Sequence, residues 1–288
     1  MEKNNPKVLR AWTFYDWANS VYSLSITTAI FPIYYNSITT ANGSDQVTFL
    51  GRTFTNTALY SYALSFSFLV IAFLSPLLSG IADYKGNKKF FMRLFCFLGS
   101  SACASLYFFK DLPQLDMGIF SFILASIGWA GSIVFYNAFL PEIATTDMQD
   151  KVSARGFALG YIGSSLLLIF NLAMILYPSW FGITNSGMAS RISFLMTGLW
   201  WFGFALFTFK YLPEKTSTQK SNNQLLTKGF NELTKVLKQL QSLPMLKRFL
   251  ISFFFYNMGV QTVMYVASLF GTKELHMRDD ELIITVLI

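Results

Sequence analysis

Seven stretches of this chain, at 12–36, 57–82, 89–109, 117–140, 156–178, 192–211 and 249–270, are long, predominantly apolar and nearly free of charge. A helix needs about 20 such residues to cross a hydrocarbon core. Inside lipid the backbone must satisfy its own hydrogen bonds, which leaves only helices or a closed barrel. Barrel strands run about 10 residues with strict alternation, and these stretches lack that period. The sequence therefore reads as an all-α polytopic membrane protein. An eighth apolar run, "ELIITVLI", reaches Ile288 after only a few residues, so the chain is expected to stop inside an eighth span. Composition agrees: 53% of residues are hydrophobic and 13% charged, against roughly 25% charged in soluble domains. No cleavable leader pattern precedes the first span, which is expected to stay in the membrane.

Lys and Arg accumulate in cytoplasmic segments. Placing the N-terminus inside puts 17 basic residues on inside segments and five, Arg52, Lys110, Arg191, Lys273 and Arg278, outside. An N-terminus in the cytoplasm and a bacterial plasma membrane are the expectations. The net charge of +7 is this bias spread over separate segments, so nucleic acid is not an expected partner. Cys96 and Cys103 lie two turns apart on one span, about 10 Å of rise, which excludes a disulfide between them.

The long inside segment after the sixth span opens with the polar "LPEKTSTQKSNN" and continues as "QLLTKGFNELTKVLKQLQSL". Apolar residues there recur at three- and four-residue spacing. A basic amphipathic helix over 224–243, lying along the membrane interface, is the expectation. The domain plan is a six-span half over 1–211, a linker over 212–247 and the start of a second half over 248–288.

The first span carries "FYDWANSVYS". At 100° per residue Asp16, Asn19, Ser20, Ser23 and Thr27 share one helical face. An acid facing lipid is costly, so this stripe must face protein or water. It either glues the span to a neighbour or lines a path, and Asp16 could contact a solute, a coupled proton or a helix partner. Asn257 and Gln261, four apart in the seventh span, share a face and could bond a solute or a facing helix. Glu142 follows Pro141 at the inside end of the fourth span and Arg155 starts the fifth, which suggests an ion pair. Gly156, Gly160 and Gly163 form a small-residue edge suited to close helix approach.

Between the second and third spans comes "SGIADYKGNKKFF". This segment resembles the loop signature of the major facilitator superfamily, Gly-x-Leu-Ala-Asp-Arg-x-Gly-Arg-Lys, through Ile81, Ala82, Asp83, Gly86, Lys88 and Lys89. Ser79 and Tyr84 stand where the signature has glycine and arginine. The resemblance implies a gating role for Asp83, Gly86, Lys88 and Lys89. A narrower resemblance runs through "YDWANSVYS", "NAFLPEIA" beginning at Asn137, "SARGFALGYIGS", the "LPE" at 212–214 and "YNMGVQTVMYVASLFGTKEL". Together these are similar to the branch of the autophagy-related vacuolar amino-acid effluxers and their bacterial relatives. Some of those relatives carry an acid where this chain has Met258. The resemblance implies two halves of six spans and export of small solutes, with Asn137 joining the candidate path.

Enzyme signatures are missing. His276, the only histidine, has no neighbouring ligand set for zinc or a catalytic triad. No phosphate-cradling Gly-rich Lys-Ser/Thr loop appears, so no ATP drive and no cofactor are expected. The resulting expectation is a secondary transporter of small solutes working by alternating access. The alternatives are a non-transporting receptor or scaffold that docks through the basic helix, and an inactive fragment of a transporter.

Overall fold

The computed structural model of the chain describes residues 3–85, 87–214, 234 and 238–287. Of the helix expected over 224–243, residues 224–233 and 235–237 lie outside the described residues, while 234 and 238–241 are helical. The first span is one helical run in three pieces: α1 (Pro6–Val21), a π-helical segment (Tyr22–Ile30) and α2 (Phe31–Thr39). Asn5 caps α1 by accepting from the Lys7 N–H at 3.0 Å, and Pro6 takes the position where a missing N–H costs nothing. A hairpin of β1 (Gln46–Phe49) and β2 (Arg52–Thr55) follows. Then come α3 (Asn56–Lys85), α4 (Lys88–Ser105), α5 (Leu115–Ile143), α6 (Thr146–Leu176), α7 (Ser186–Tyr211), α8 (Pro244–Lys273) and α9 (Asp279–Leu287).

Six helices, α3 to α8, are long and apolar enough to cross a membrane by themselves. The first span joins them once its three pieces are read as one rod. The molecule is an all-α integral membrane protein. Both the hairpin and the π-helical segment escape a hydropathy reading. The helices also overrun the apolar stretches: α6 starts at Thr146, ahead of the predicted 156, because a helix continues through polar residues as long as its backbone bonds are made.

Two ends of the bundle can be told apart. At the basic end, the Asn4 side chain bonds Thr145 in both directions, its amide donating at 2.8 Å and its carbonyl accepting at 3.0 Å, which ties the chain start to the α5–α6 junction. At the hairpin end, the buried Asn56 amide donates to Asn36 at 3.0 Å and Thr39 at 2.8 Å. The Tyr35 hydroxyl returns to the Asn56 carbonyl at 2.8 Å. These bonds fix α3 against the first span where both leave the bilayer.

α4 and α5 approach each other backbone to backbone. A Cβ added at Gly128 would overlap the backbone of Gly99 and stand 2.7 Å from the Phe95 carbonyl oxygen. Backbone has nowhere to move, unlike a side-chain tip. Gly128→Ala is therefore expected to lower stability by about 1–3 kcal/mol, the range for overpacking a tight core, read as a drop in the melting temperature of the purified protein. An unchanged melting temperature would show that α4 and α5 do not meet at this point.

Candidate functional site

The polar stripe of the first span is packed against protein. Asp16 is 7% exposed and Asn19 1%. The Tyr136 hydroxyl of α5 donates to the Asp16 carboxylate at 2.6 Å. From α6, Gly156 comes so close to that carboxylate that a Cβ there would overlap it, and a Cβ on Gly160 would stand 3.2 Å from the Ser20 Cβ. The glycine edge predicted for close approach therefore meets the Asp16 and Ser20 side of α1. Tyr136 also stacks on Trp12 with ring centroids 4.2 Å apart, and its carbonyl accepts from the Trp12 indole at 2.9 Å. Both ends of one α5 residue hold α1. On the other side of α1, the Thr208 hydroxyl of α7 donates to the Ala11 carbonyl at 2.8 Å, and the Trp200 indole donates to the Trp17 carbonyl at 3.1 Å.

Further along, the backbone widens into the π-helical segment. The Thr27 and Thr28 hydroxyls both donate to the Ser23 carbonyl, at 2.6 and 3.0 Å. The second of these spans five residues, the spacing that a π-helix brings together. Ser268 of α8 donates to the Thr28 carbonyl in turn, so the altered turn is also where the seventh span docks. Tyr60 of α3 donates to the Thr27 carbonyl at 2.9 Å. Two buried amides stay unmatched among the described residues: the Asn19 Nδ2 and both polar atoms of Asn171 in α6. Such groups are costly unless something else meets them.

α8 is exposed from Pro244 to Met264, and it becomes buried at Tyr265, Ser268, Leu269 and Gly271. It touches the rest of the bundle through its hairpin-end portion, against the π-helical segment and α2. Lys273 reaches Asp45 beside the hairpin at 3.7 Å. Between α8 and α3 lies a cleft of about 580 Å³. Asn257 and Gln261 line it, with Tyr60, Ser61, Ser65, Phe68, Trp129, Thr262 and Tyr265 among the facing residues. Among the described residues, the cleft lining contains no charged side chain. Asp16, Asn19, Ser20, Ser23 and Thr27 are not among its lining residues, and Asn137 lies exposed on α5.

The expected Glu142–Arg155 pair does not form. Glu142 instead takes Lys88 at 2.7 Å, while Arg155 is exposed on α6. The reason is placement: the α3–α4 connection arrives beside the end of α5 and brings Lys88 to the carboxylate, whereas Arg155 lies a full ten residues into α6. The neighbouring Lys89, 7% exposed, donates to the Leu212 carbonyl at the C-terminus of α7 at 2.7 Å. A helix C-terminus carries partial negative charge and suits a buried cation. Glu214 completes the cluster, 3.3 Å from Lys89 and 2.9 Å from Arg93. The hydrogen bond from Lys89, its charge and that of Arg93 hold the Glu214 carboxyl below the usual glutamate range. Gly86 lies outside the described residues, as does the side chain of Asp83.

Sequence reasoning missed Tyr136, Tyr60, Trp129 and Ser268. Tyrosine and tryptophan in an apolar span read as filler, and nothing in the linear pattern shows which hydroxyl will find a carboxylate from a helix over a hundred residues away.

A family model described as "Vacuole effluxer Atg22 like" matches residues 4–288. The chain belongs to the Atg22-like vacuole effluxer family. Its relatives include the uncharacterized MFS-type transporter YxiO of Bacillus subtilis, 34% identical over 273 residues, covering 94% of this chain and 62% of the relative. Autophagy-related protein 22-2 of Aspergillus niger is 23% identical over 297 residues, covering 77% and 49%. Autophagy-related protein 22-1 of Aspergillus terreus is 22% identical over 298 residues, with the same coverage. The chain spans between half and two thirds of the length of these relatives. No solved structure matches it. This Atg22-like chain is the all-α membrane bundle that its hydropathy predicts.

The Asp16–Tyr136 bond is open to a direct test. Tyr136→Phe is expected to cost roughly 1–3 kcal/mol, the range for losing a buried hydrogen bond to a carboxyl group. Combined with Asp16→Ala in a double-mutant cycle on thermal unfolding, the two losses are expected to be clearly less than additive. Strict additivity would show that the two side chains do not act on each other.

Proposed function

We propose that this protein is part of, or is itself, a secondary transporter that moves small solutes by alternating access. The observation that carries the reading is the posture of α8, which meets the first span at the hairpin end, leaves a cleft against the hairpin-side half of α3 just beyond that contact, and stands exposed from there to the basic end. A bundle that closes at one face and parts at the other is what one state of an alternating-access cycle requires. Family membership supports the same reading: one relative is named an MFS-type transporter, and the family is described as vacuole effluxers.

In this reading residues 1–211 form a first half, 212–247 connect, and 248 onward begins a second. The basic end faces the cytoplasm of a bacterial cell, by the positive-inside rule, and the exposed basic-end portion of α8 supports an inward-facing reading. Asn257 and Gln261 offer amide groups to the solute, and Tyr60, Trp129 and Tyr265 offer rings. A cleft with hydrogen-bonding groups, aromatic walls and no fixed charge suits a small neutral or zwitterionic solute with an apolar body. Amino acids with apolar side chains are the first class to test, and export is the direction that the family description favours. Asp16 serves the path by holding α1 in place. Ser20, half-buried on the same rod, serves it in the same way, by packing against Gly160 of α6. Lys88 and Lys89 hold the ends of α5 and α7 in this state and belong, with Asp83 and Gly86, to the gating loop that the signature implies. A gradient of protons is the coupling to test first.

In membrane vesicles carrying the complete gene product, solute movement is expected to collapse when a protonophore dissipates the gradient. Asn257→Ala with Gln261→Ala is expected to raise KM about five- to tenfold, the worth of one hydrogen bond of about 1–1.4 kcal/mol. No gradient-dependent movement of any amino acid or related small solute would favour a receptor or scaffold instead.

A further inference from the structure

On the side of the bundle away from α8 and α9, a groove of about 370 Å³ runs between α4 and α7. It is lined by Arg93, Phe97, Phe202, Leu206, Phe209 and Lys210. The contacts of α8 and α9 lie with the first span and α6, so the groove opens onto the bilayer. Its floor is apolar: Phe97 and Phe202 meet edge to face at 6.0 Å, and both they and Leu206 remain substantially exposed. Its rim is cationic and sits at the basic end, where α4 begins and α7 finishes. From Lys210 down to Phe202 is eight residues of helix, about 12 Å of depth.

The charges at the rim do not cancel. Lys89 and Arg93 share the single Glu214 carboxylate. The Arg93 guanidinium also lies over the Phe209 ring at 5.7 Å and donates to the Phe209 carbonyl at 3.2 Å, which holds it at the mouth of the groove. Lys210 has no acidic partner among the described residues, and its ammonium lies against the Tyr211 ring at 5.5 Å. Among the described residues, Arg93 and Lys210 on the groove and the buried Lys89 beside it therefore set three cations against one anion. Basic pockets between spans at a membrane surface are suited to anionic lipid headgroups, and long cationic side chains reach such headgroups from helix ends.

We infer that this groove is a binding site for an anionic membrane phospholipid, its phosphate held by Arg93 and Lys210 and one acyl chain lying along Phe97, Phe202 and Leu206. The inference rests on the membrane-embedded fold and stands apart from the transport reading. An anionic headgroup fits better than a choline one, because choline would bring a fourth cation to the rim. Occupancy would brace α4 against α7 beside the Lys89–Leu212 contact, linking the lipid to the gating loop.

The test uses purified protein in detergent, with native mass spectrometry and thermal unfolding as readouts. Phosphatidylglycerol, phosphatidylcholine and inorganic phosphate are added separately. Phosphatidylglycerol is expected to bind and to raise the melting temperature well above the effect of phosphatidylcholine, with inorganic phosphate giving neither. Lys210→Gln, at an exposed position, is expected to weaken phosphatidylglycerol binding about fivefold. Leu206→Trp, which fills the slot without changing charge, is expected to weaken it as well. Equal binding of the two lipids, full reproduction of the effect by inorganic phosphate, or unchanged affinity in both variants would each overturn the proposal.

Discussion

A carboxyl group inside a membrane bundle must be met by protein, and here the Tyr136 hydroxyl meets it. The rest of the arrangement depends on that contact. Asp16 sits near the start of the first span; Tyr136 brings α5 to it, and Gly156 lets α6 come close enough to cover it. Because Tyr136 also grips Trp12 by stacking and by its carbonyl, the basic-end portion of α1 is fixed to the first set of helices. The other face of α1 is fixed by Thr208 and Trp200 of α7. What is left for α8 is the far portion of the same rod, where the π-helical turn presents the Thr28 carbonyl to Ser268. Closure at the hairpin end and separation at the basic end then follow from how one rod divides its contacts.

The helical plan was legible because it rests on a one-dimensional property. Length and hydropathy place the spans to within about six residues, apart from the start of α6, which lies ten residues ahead of its apolar stretch, since in lipid only helices and closed barrels are open and the alternation of a barrel is missing. The polar stripe was legible too, as a periodicity of 3.6, along with the small-residue edge of α6. What the stripe faces was not legible. Asp16 could have pointed at a solute, a proton path or a neighbour, and only the crossing of α1 with α5 and α6 decides that its hydroxyl partner is Tyr136. The π-helical segment was invisible for a related reason: its residues are those of an ordinary apolar span, and the extra residue in the turn comes from tertiary contacts. The Glu142 partner was misassigned because proximity along the chain was taken for proximity in space, while Lys88 arrives from a different connection.

The basic end shows the same economy of contacts. Lys88 binds the end of α5 and Lys89 the end of α7, so a connection of few residues joins three helices. Placing cations on helix C-termini uses partial charge that the helices already carry. Glu214, from the short "LPE" after α7, then draws Arg93 into the cluster and positions it at the mouth of the groove between α4 and α7. The loop signature and the groove proposed to take a lipid are thus neighbours through one carboxylate.

The central claim is that the first span and α8 must part at the hairpin end for solute to pass. Asp45 and Lys273 lie across that contact, and Cys96 and Cys103 are buried, so a thiol bridge can be placed there once any further cysteine of the complete gene product is replaced by serine. In the complete gene product carrying Asp45→Cys and Lys273→Cys, a short cleavable bifunctional thiol reagent should abolish solute movement, and cleaving the spacer should restore it. Full transport by bridged protein would show that this contact does not open, and would contradict the account.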